Sequence, residues 1–516
     1  MHCYPNNEIV DAVVIGTGAG GAPLLARLAK AGLKVVALEA GKHWNPQADF
    51  ATDEREQSKL FWRFERLSAG EDPVHFGRNN SGIGVGGSTL HYTAYTPRPL
   101  PDGFHLYSEF GVGINWPIDY YDLEPYFDEL ESFLGISGPS PYPWGPPRKS
   151  KYPLPPLLLN APAQLMQRGC GKMGIKTSPA ANAALSASYY QENVGWRKAC
   201  TNRGFCQAGC STGAKASMDV TCIPLAVHFG AEIRPGCFAT EFKRSSQGNI
   251  TAVVYKKNGQ EEKQLCKNVF LCAGAVETPR LLLMNNMANS SGQVGKNFMA
   301  NVGLQVWGEF EEEVRPNKGI PGALISEDMR RPKNVDFASG YLIQSIGVMP
   351  VTYASQLARA GGIWGEELRK KLRAFNHVAG INMHGECLPD ENNYLELSDE
   401  LDEMGLPKPR IYFTAGENEK KMSAHGDKIM REIWSEAGAE NLLSYHRKAH
   451  TIGTCRMGSS GDTSVVDAAG RSFDVANLYI CDNSVFPSTL AVNPALTIMA
   501  LSLRTADLFL SQKSYS

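Results

Sequence analysis

Three glycines and one acidic residue near the start of the chain have the types and spacing to bind a dinucleotide. Gly16, Gly18 and Gly21 form a G-x-G-x-x-G motif, and Glu39 follows it after a helix-length interval. In such a motif the first glycine allows a tight turn, the second lets the backbone approach a pyrophosphate, and the third lets helix and strand pack closely. The N-terminus of the following helix would then face the anion. We predict a dinucleotide site in which Glu39 holds the adenosine ribose hydroxyls; the alternative is a structural turn in an ordinary α/β unit.

A second group that could do chemistry consists of cysteines. The segment ACTNRGFCQAGCSTGAKAS holds Cys200, Cys206 and Cys210 in a glycine-rich C-x5-C-x3-C array. Such a loop can fold three thiolates around one centre, and clustered cysteines in a cytosolic chain indicate metal or redox chemistry before disulfides. Two other interpretations stay open, namely reduced buried cysteines or a zinc site completed by Cys222 or a histidine.

These residues need elements that position them. Residues 11–15 and 35–38 are apolar runs joined by an Ala/Leu-rich stretch, which predicts a βαβ unit. The same pattern of a buried strand, a turn and a helix recurs at NVFLCAGAVETP and near the C-terminus. We therefore predict an α/β fold with a discontinuous Rossmann-type dinucleotide-binding domain and an α+β substrate domain that has a mostly antiparallel sheet and a lid. The predicted segments are 1–103, 196–300 and 441–516 for the first domain, and 104–195 and 301–440 for the second.

The charge balance excludes several classes of protein. The 516 residues include 51 Lys and Arg and 53 Asp and Glu, a formal net charge of −2. A chain this close to neutral has no global field for nucleic acid or an anionic membrane surface. The uncharged stretch 483–503 contains Pro487 and Pro494, so we predict a loop and a buried helix instead of a transmembrane segment. The N-terminus does not resemble a secretory signal, which predicts folding in the cytoplasm. A periplasmic or membrane-associated location, reached through a partner subunit, stays open.

Six ordered blocks of the sequence resemble the glucose-methanol-choline (GMC) family of oxidoreductases. They are the N-terminal glycine unit, NNSGIGVGGSTLHYTAYTPR, CAGAVETPRLLL, VGKNFMANVGL, HTIGTCRMG and YICDNSVFPSTLAVNPALTIMAL. The resemblance implies FAD as the dinucleotide and oxidation of a CH–OH group as the reaction. It also implies that Asp482 lies near the ribityl-pyrophosphate region of FAD, and that Gly86, Gly87 and Ser88 line the isoalloxazine.

Oxidation of an alcohol needs a base, because an alkoxide expels hydride far more readily than a neutral alcohol does. Imidazole suits this task, since its pKa lies near neutrality. His450 in HTIGTCRMG matches the family's catalytic histidine, and Asn493 in VNPALTI matches its partner on the same substrate oxygen. The resemblance therefore implies that His450 takes the proton, Asn493 orients the hydroxyl beside the flavin, and hydride passes to the flavin N5. His446 lies outside the motif.

His91 in GGSTLHYT follows Gly87 by four residues. Some relatives with a similar turn, such as pyranose 2-oxidase, attach FAD covalently through a histidine at this place. Other family members carry the histidine and bind FAD without a bond. A covalent bond and a simple flavin contact are therefore both open.

The cysteine loop resembles that of bacterial GMC sugar dehydrogenases, in which three cysteines with this spacing carry a [3Fe-4S] cluster. This likeness favours a dehydrogenase of a sugar, glycoside or polyol that passes electrons to an external acceptor. A small chaperone-like subunit and a cytochrome c are the implied partners, and the cytochrome would be a separate subunit because the chain has no C-x-x-C-H motif. The alternatives are an oxidase that uses O2 and releases hydrogen peroxide, and a flavin-binding subunit without turnover.

The chain departs from the family pattern at the expected substrate pocket. Asn301 ends the block VGKNFMAN, where many members have histidine. Residues 315–380, which form the lid in the family, contain no recognised motif. Substrate identity is therefore the least determined part of the prediction.

Overall fold

The computed structural model describes residues 2–74 and 81–513. Its strands are β1 (Ala12–Ile15), β2 (Val35–Glu39), β3 (Leu67–Ala69), β4 (Ser178–Pro179), β5 (Tyr189–Gln191), β6 (Gly195–Arg197), β7 (Glu232–Pro235), β8 (Cys237–Arg244), β9 (Ile250–Lys257), β10 (Gln260–Leu265), β11 (Val269–Leu271), β12 (Met299–Glu309), β13 (Leu324–Ser326), β14 (Tyr341–Ile346), β15 (Val378–Gly385), β16 (Tyr394–Leu401), β17 (Pro407–Tyr412), β18 (Glu440–Ile452) and β19 (Leu478–Ile480). Its α-helices are α1 (Gly21–Lys30), α2 (Pro46–Asp49), α3 (Leu106–Phe110), α4 (Tyr120–Leu134), α5 (Ala161–Lys172), α6 (Cys222–His228), α7 (Gly274–Met284), α8 (Pro350–Arg359), α9 (Gly365–Arg373), α10 (Glu417–Glu436) and α11 (Ala495–Lys513). Asn79 and Asn80, which begin one of the family blocks, lie outside the described residues.

A parallel sheet forms the first layer of the fold. Its strand order is β19-β11-β1-β2-β7, and every neighbouring pair is parallel. Strands β1, β2, β11 and β19 are buried along their whole length, as expected when helices cover both faces of a parallel sheet. From β1 the chain continues to β2 on one side of this central strand, whereas β11, which comes later in the chain, pairs with the other side of β1. This reversal opens a crevice at the carboxyl ends of the strands, where doubly wound folds bind their ligands. The Rossmann-type prediction is confirmed.

An antiparallel sheet forms the second layer. Its order is β18-β12-β15-β14-β13-β4, and each pair is antiparallel, which confirms the predicted sheet type. Side chains alternate across it, so Met383 and its neighbours on one face pack on α5 and α10. The opposite face carries polar groups. We call this the polar sheet face, and its members are Asn301, Gln305, Gln344, Asn382, His384 and Arg447.

Smaller sheets complete the fold. Strands β8, β9 and β10 form an antiparallel sheet, β16 and β17 pair with β3, and β5 and β6 make a hairpin. Strand β18 starts at the predicted domain boundary and pairs with β12 in the antiparallel sheet, and its last residues reach the crevice of the parallel sheet. The division of the chain into two domains stays a prediction. Among the described residues, no helix combines the length and apolar character needed to cross a membrane.

Candidate active site

A cleft extends from the carboxyl ends of the parallel strands to the edge strand β18. The predicted site residues that line it are Gly16, Gly18, Glu39, Gly87, Ser88, His91, His450, Asp482 and Asn493. Gly21 and Gly86 do not line the cleft. They lie in the layer beneath its surface, where they pack against Gly16 and Leu90. The structure thus brings the dinucleotide turns, the candidate base and its amide partner into one cavity.

The glycine turns at the dinucleotide end pack so closely that side chains would not fit. Gly16 has a φ of +96°, which favours glycine. A Cβ at Gly21 would lie 1.9 Å from the carbonyl oxygen of Gly16, so α1 can approach β1 only because Gly21 has no side chain. A Cβ at Gly87 would lie 2.7 Å from the Cα of Gly18, which brings the two predicted flavin-binding turns into contact. This backbone-lined cradle fits a dinucleotide.

Glu39 holds these turns together. Its Oε2 accepts hydrogen bonds from the Thr17 backbone N–H at 3.1 Å and the Thr17 hydroxyl at 2.7 Å. Its Oε1 accepts from the backbone N–H groups of Gly41 at 3.0 Å and Gly84 at 3.2 Å. Burial raises the pKa of Glu39, and these hydrogen bonds oppose that shift. The ribose contact predicted for Glu39 stays a prediction.

Asp482 follows β19 and organises the start of α7. Its Oδ2 accepts from the Gly274 N–H at 2.8 Å and from the Thr278 hydroxyl at 2.6 Å. Its Oδ1 accepts from the Ser484 N–H at 2.8 Å. Burial raises its pKa, while these donors favour the charged form. Asp482 therefore places its carboxyl group at a helix N-terminus, where the helix dipole favours the charged form.

His450 sits in a β-bulge. The pairing of β18 with β12 shifts between Ala300 and Asn301, and His450 has a φ of +54°, in the left-handed region. A bulge of this kind re-aims a side chain, and non-glycine residues with positive φ are frequent at functional sites. The backbone here turns His450 into the cleft instead of leaving it in register with the sheet.

Asn301 determines the tautomer of His450. The Asn301 Nδ2 donates to the backbone oxygen of Gly385 at 3.1 Å, so its Oδ1 faces the histidine and accepts from Nδ1 at 3.0 Å. The proton therefore resides on Nδ1, and Nε2 is left as the basic atom. Burial lowers the pKa of His450 to about 3, and the positive charge of Arg447 adds to this shift. His450 is thus neutral at physiological pH.

A second histidine, which the sequence reasoning missed, lies against the first. The ring of His384 is 4.8 Å from that of His450, centroid to centroid. Its Nε2 accepts from the Asn382 amide at 2.9 Å and faces the Gln344 amide nitrogen at 2.5 Å. Burial lowers the pKa of His384; a proton on His450 would lower it further, and the positive charge of Arg447 acts in the same direction. No sequence motif could reveal it, because the register of β15 against its neighbours brings the rings together.

Two of the predicted site residues that line the cleft carry buried polar atoms without a hydrogen-bond partner among the described residues. They are the Oδ1 of Asn493, just before α11, and the Nε2 of His91, just after the flavin turn. Burial lowers the pKa of His91 to about 3, with a further effect of the Lys215 charge. Orphaned buried atoms are costly unless a bound group satisfies them, so both fit a cofactor or substrate in the cleft.

The cysteine loop lies directly behind the flavin turn. The buried ammonium of Lys215 donates to the backbone oxygens of Leu90 at 2.8 Å, Tyr92 at 3.2 Å and Cys206 at 2.7 Å. This one cation therefore joins the backbone on both sides of His91 to the loop. The residue after Cys206, Gln207, lines the cleft itself.

The three thiols have different environments. The Asn202 N–H donates to the sulfur of Cys200, and the Lys215 N–H donates to that of Cys210, both at 3.4 Å. Burial raises the pKa of Cys200 and Cys206; at Cys210 burial is outweighed by hydrogen bonds from Thr212 and Lys215, and the pKa falls. Within the described ranges, no three His, Cys, Asp or Glu side chains are grouped so as to hold a metal ion. The structure therefore supports neither a zinc site nor, in this arrangement of the thiols, a preformed cluster site, and the iron-sulfur cluster stays a prediction.

A Rossmann-type crevice joined to an antiparallel sheet that presents a neutral histidine defines a dinucleotide-dependent oxidoreductase. Two family models described as GMC oxidoreductase match residues 73–302 and 389–502. The chain belongs to the GMC oxidoreductase family, which confirms the resemblance inferred from the sequence and identifies FAD as the cofactor.

Known proteins similar to this chain include enzymes that act on alcohols and sugars. The 2-methyl-1,2-propanediol dehydrogenase of Mycolicibacterium austroafricanum is 31% identical, over 96% of this chain and 94% of that protein. The fructose dehydrogenase large subunit of Gluconobacter japonicus is 28% identical, over 97% of this chain and 98% of its own. A crystal structure of formate oxidase has a TM-score of 0.72 at 15% identity, covering 99% of this chain and 100% of that one, which shows the shared fold.

Proposed function

We propose that the protein is an FAD-dependent dehydrogenase that oxidises a CH–OH group of a sugar, glycoside or polyol. The observation that carries the proposal is a neutral His450 in the cleft of the dinucleotide turns, with Nδ1 bound to Asn301 and Nε2 left as the base. FAD, when bound, would supply the hydride acceptor at its N5. The two relatives named as fructose and propanediol dehydrogenases support the substrate class.

The residues of the chain divide the remaining work. His450 Nε2 accepts the proton of the substrate hydroxyl, and the Asn301 carbonyl stabilises the imidazolium that forms, because it accepts the Nδ1 hydrogen. Asn493 orients the same hydroxyl through its free amide. Two polar groups of the cleft support a substrate with several hydroxyl groups: the Oδ1 of Asn493 is an acceptor without a partner in the described ranges, and Arg447 of the polar sheet face lines the cleft.

His450→Ala tests this proposal. We expect kcat to fall about 10²- to 10⁴-fold, since a general base contributes that much, while bound FAD keeps its visible spectrum. His446→Ala is the matched control, because His446 lies four positions before His450 on the same strand and its side chain is exposed. An unchanged kcat in His450→Ala would contradict His450 as the base, whereas a wild-type protein that binds FAD but oxidises no donor would favour the flavin-binding subunit without turnover.

The electron acceptor is the second part of the proposal. We propose that Cys200, Cys206 and Cys210 hold a [3Fe-4S] cluster and that a partner subunit, such as a cytochrome c, accepts the electrons. The loop supports this proposal through its three thiols, through the N–H donors to two of them, and through its position against the flavin turn. A small chaperone-like subunit and export together with it belong to the same proposal.

Iron and acid-labile sulfide, measured on anaerobically purified protein beside its flavin spectrum, test the cluster. We expect iron with the flavin, and its loss in Cys206→Ser but not in Cys3→Ser, because Cys3 is exposed and far from the loop in sequence. Flavin without iron would contradict the cluster. Rapid hydrogen peroxide formation without a dye acceptor would favour the oxidase that uses O2.

The link between His91 and FAD is tested by acid precipitation. A covalent bond would keep the flavin with the precipitated protein, whereas a contact would release it. We propose the contact, supported by the position of the His91 Nε2 in the cleft, and expect His91→Asn to weaken FAD retention.

A further inference from the structure

Arg447 occupies an open position beside the candidate base. It lies on β18, the edge strand of the antiparallel sheet, and lines the same cleft as His450. Its cross-strand neighbour on β12 is Gly303, which has no side chain to cover it. The guanidinium therefore faces the cleft from the polar sheet face.

Arg447 has no partner for its charge in the described part of the chain. Its side chain makes no hydrogen bond or ion pair with residues 2–74 or 81–513, and the sequence of residues 75–80 contains no Asp or Glu. Burial lowers its pKa, and the Tyr445 hydroxyl is the group that opposes this shift. The side chain is half-buried in the wall of the cleft, and a guanidinium that faces a cleft without an anionic partner is suited to an anionic ligand.

The other arginines that line the cleft show the contrast. Arg66 forms an ion pair with Glu277 at 2.9 Å. Arg280 forms ion pairs with Glu277 at 3.0 Å and with Asp402 at 2.7 Å. Those cations are neutralised within the protein, whereas the cation beside His450 is not.

We propose that Arg447 binds a carboxylate of the substrate, so that the enzyme prefers an alcohol that is also an acid, such as an aldonate, over the uncharged polyol. The inference deepens the proposed function and rests on it. A planar guanidinium pairs with a carboxylate through two parallel hydrogen bonds, which fixes the orientation of the substrate as well as its affinity. Because Arg447 and His450 lie on one strand, a bound carboxylate would also fix the position of the hydroxyl at Nε2.

The test compares D-gluconate with D-glucitol (sorbitol), which differ by a carboxylate in place of a CH2OH group, in the holoenzyme with a dye acceptor. We expect kcat/KM to be higher for gluconate. Arg447→Gln should lower it about 10²-fold or more for gluconate and less than about threefold for sorbitol, because one partner of a desolvated charge pair is removed. Arg447→Lys should recover part of the lost kcat/KM for gluconate. His446→Gln, at an exposed position on the same strand, should change kcat/KM for neither substrate.

A binding measurement separates this role from a structural one. Calorimetric titration with glutarate, a carboxylate without an oxidisable hydroxyl, should show binding to the wild-type holoenzyme and a loss of at least about tenfold in affinity in Arg447→Gln. Equal losses of kcat/KM for the two polyols, with unchanged glutarate affinity, would overturn the inference and assign Arg447 to the flavin. A preference for sorbitol would overturn it as well, while failure of the proposed function would appear as no oxidation of either compound and no effect of His450→Ala.

Discussion

The two ends of the cleft are built in different ways. At the dinucleotide end, Glu39 accepts four hydrogen bonds, three of them from backbone N–H groups. At the substrate end, His450, Asn301 and His384 are held by contacts of their side chains, and the partners come from separate strands. The first end therefore depends on how closely the backbone can pack. The second depends on which atoms of a few side chains carry hydrogens.

The largest effect should come from adding one methyl group at the dinucleotide end. Gly21→Ala places a Cβ 1.9 Å from the Gly16 oxygen, so α1 must move away from β1 and its N-terminus must leave the anion site. We expect the purified variant to retain no FAD after gel filtration, measured by the loss of its visible flavin absorbance.

Gly171→Ala makes the same chemical change where space is open. Gly171 lies in α5 with no atom within 4 Å of an added Cβ. Alanine is a better helix former, so this control should keep FAD and gain up to about 1 kcal/mol of stability. Full FAD retention in Gly21→Ala would contradict a dinucleotide end that depends on backbone packing.

The next largest effect should come from Asn301 at the substrate end. Asn301→Leu removes the acceptor of the Nδ1 hydrogen, so the imidazole loses its tautomer preference and its support as a cation. We expect kcat to fall about 10²-fold with FAD retained. Asn392→Leu is the matched control, since Asn392 is exposed and does not line the cleft.

Asn301→Asp distinguishes positioning from packing. The new carboxylate still accepts from Nδ1, but its negative charge raises the pKa of His450. The acid limb of the pH profile of kcat/KM should therefore move to higher pH than in the wild type. An unmoved profile in Asn301→Asp would mean that Asn301 only fills space.

The smallest of the three effects is a dependence of stability on pH. His91 and His450 have pKa values lowered from 6.5 to about 3 in the folded state, mainly by burial. Between those values the unfolded chain binds more protons, so the stabilisation is present above pH 6.5 and is lost as the pH falls. Each histidine should cost about 2 kcal/mol of unfolding free energy at pH 5 relative to pH 7.

Denaturant unfolding of the protein at pH 7, 6 and 5 measures this effect. His450→Gln should reduce the slope of unfolding free energy against pH, because it removes one titrating group. An equal slope in the wild type and His450→Gln would show that folding does not lower the pKa of His450.

Local patterns made the dinucleotide end predictable. The Gly16 turn, its helix and the second strand are consecutive in the sequence. Each close backbone approach in this unit requires a glycine, so the residue type alone indicates it. His450 and Asn493 were found through family blocks, and the structure brings both to the cleft. Asn301 was noticed only as a departure from the family pattern, and its hydrogen bond to His450 was not predicted.

The sequence by itself determined the Rossmann-type crevice, because glycine turns and strand patterns are encoded within short segments. It also determined the family and the candidate base, through ordered blocks that resemble the family. Only the tertiary structure decided the tautomer of His450, the contact between the rings of His384 and His450, and the unpaired charge of Arg447. Those properties depend on the register of β12, β15 and β18, which bring together residues far apart in the chain. A shift of one residue in that pairing would turn each side chain to the other face of the sheet, and no local pattern records it.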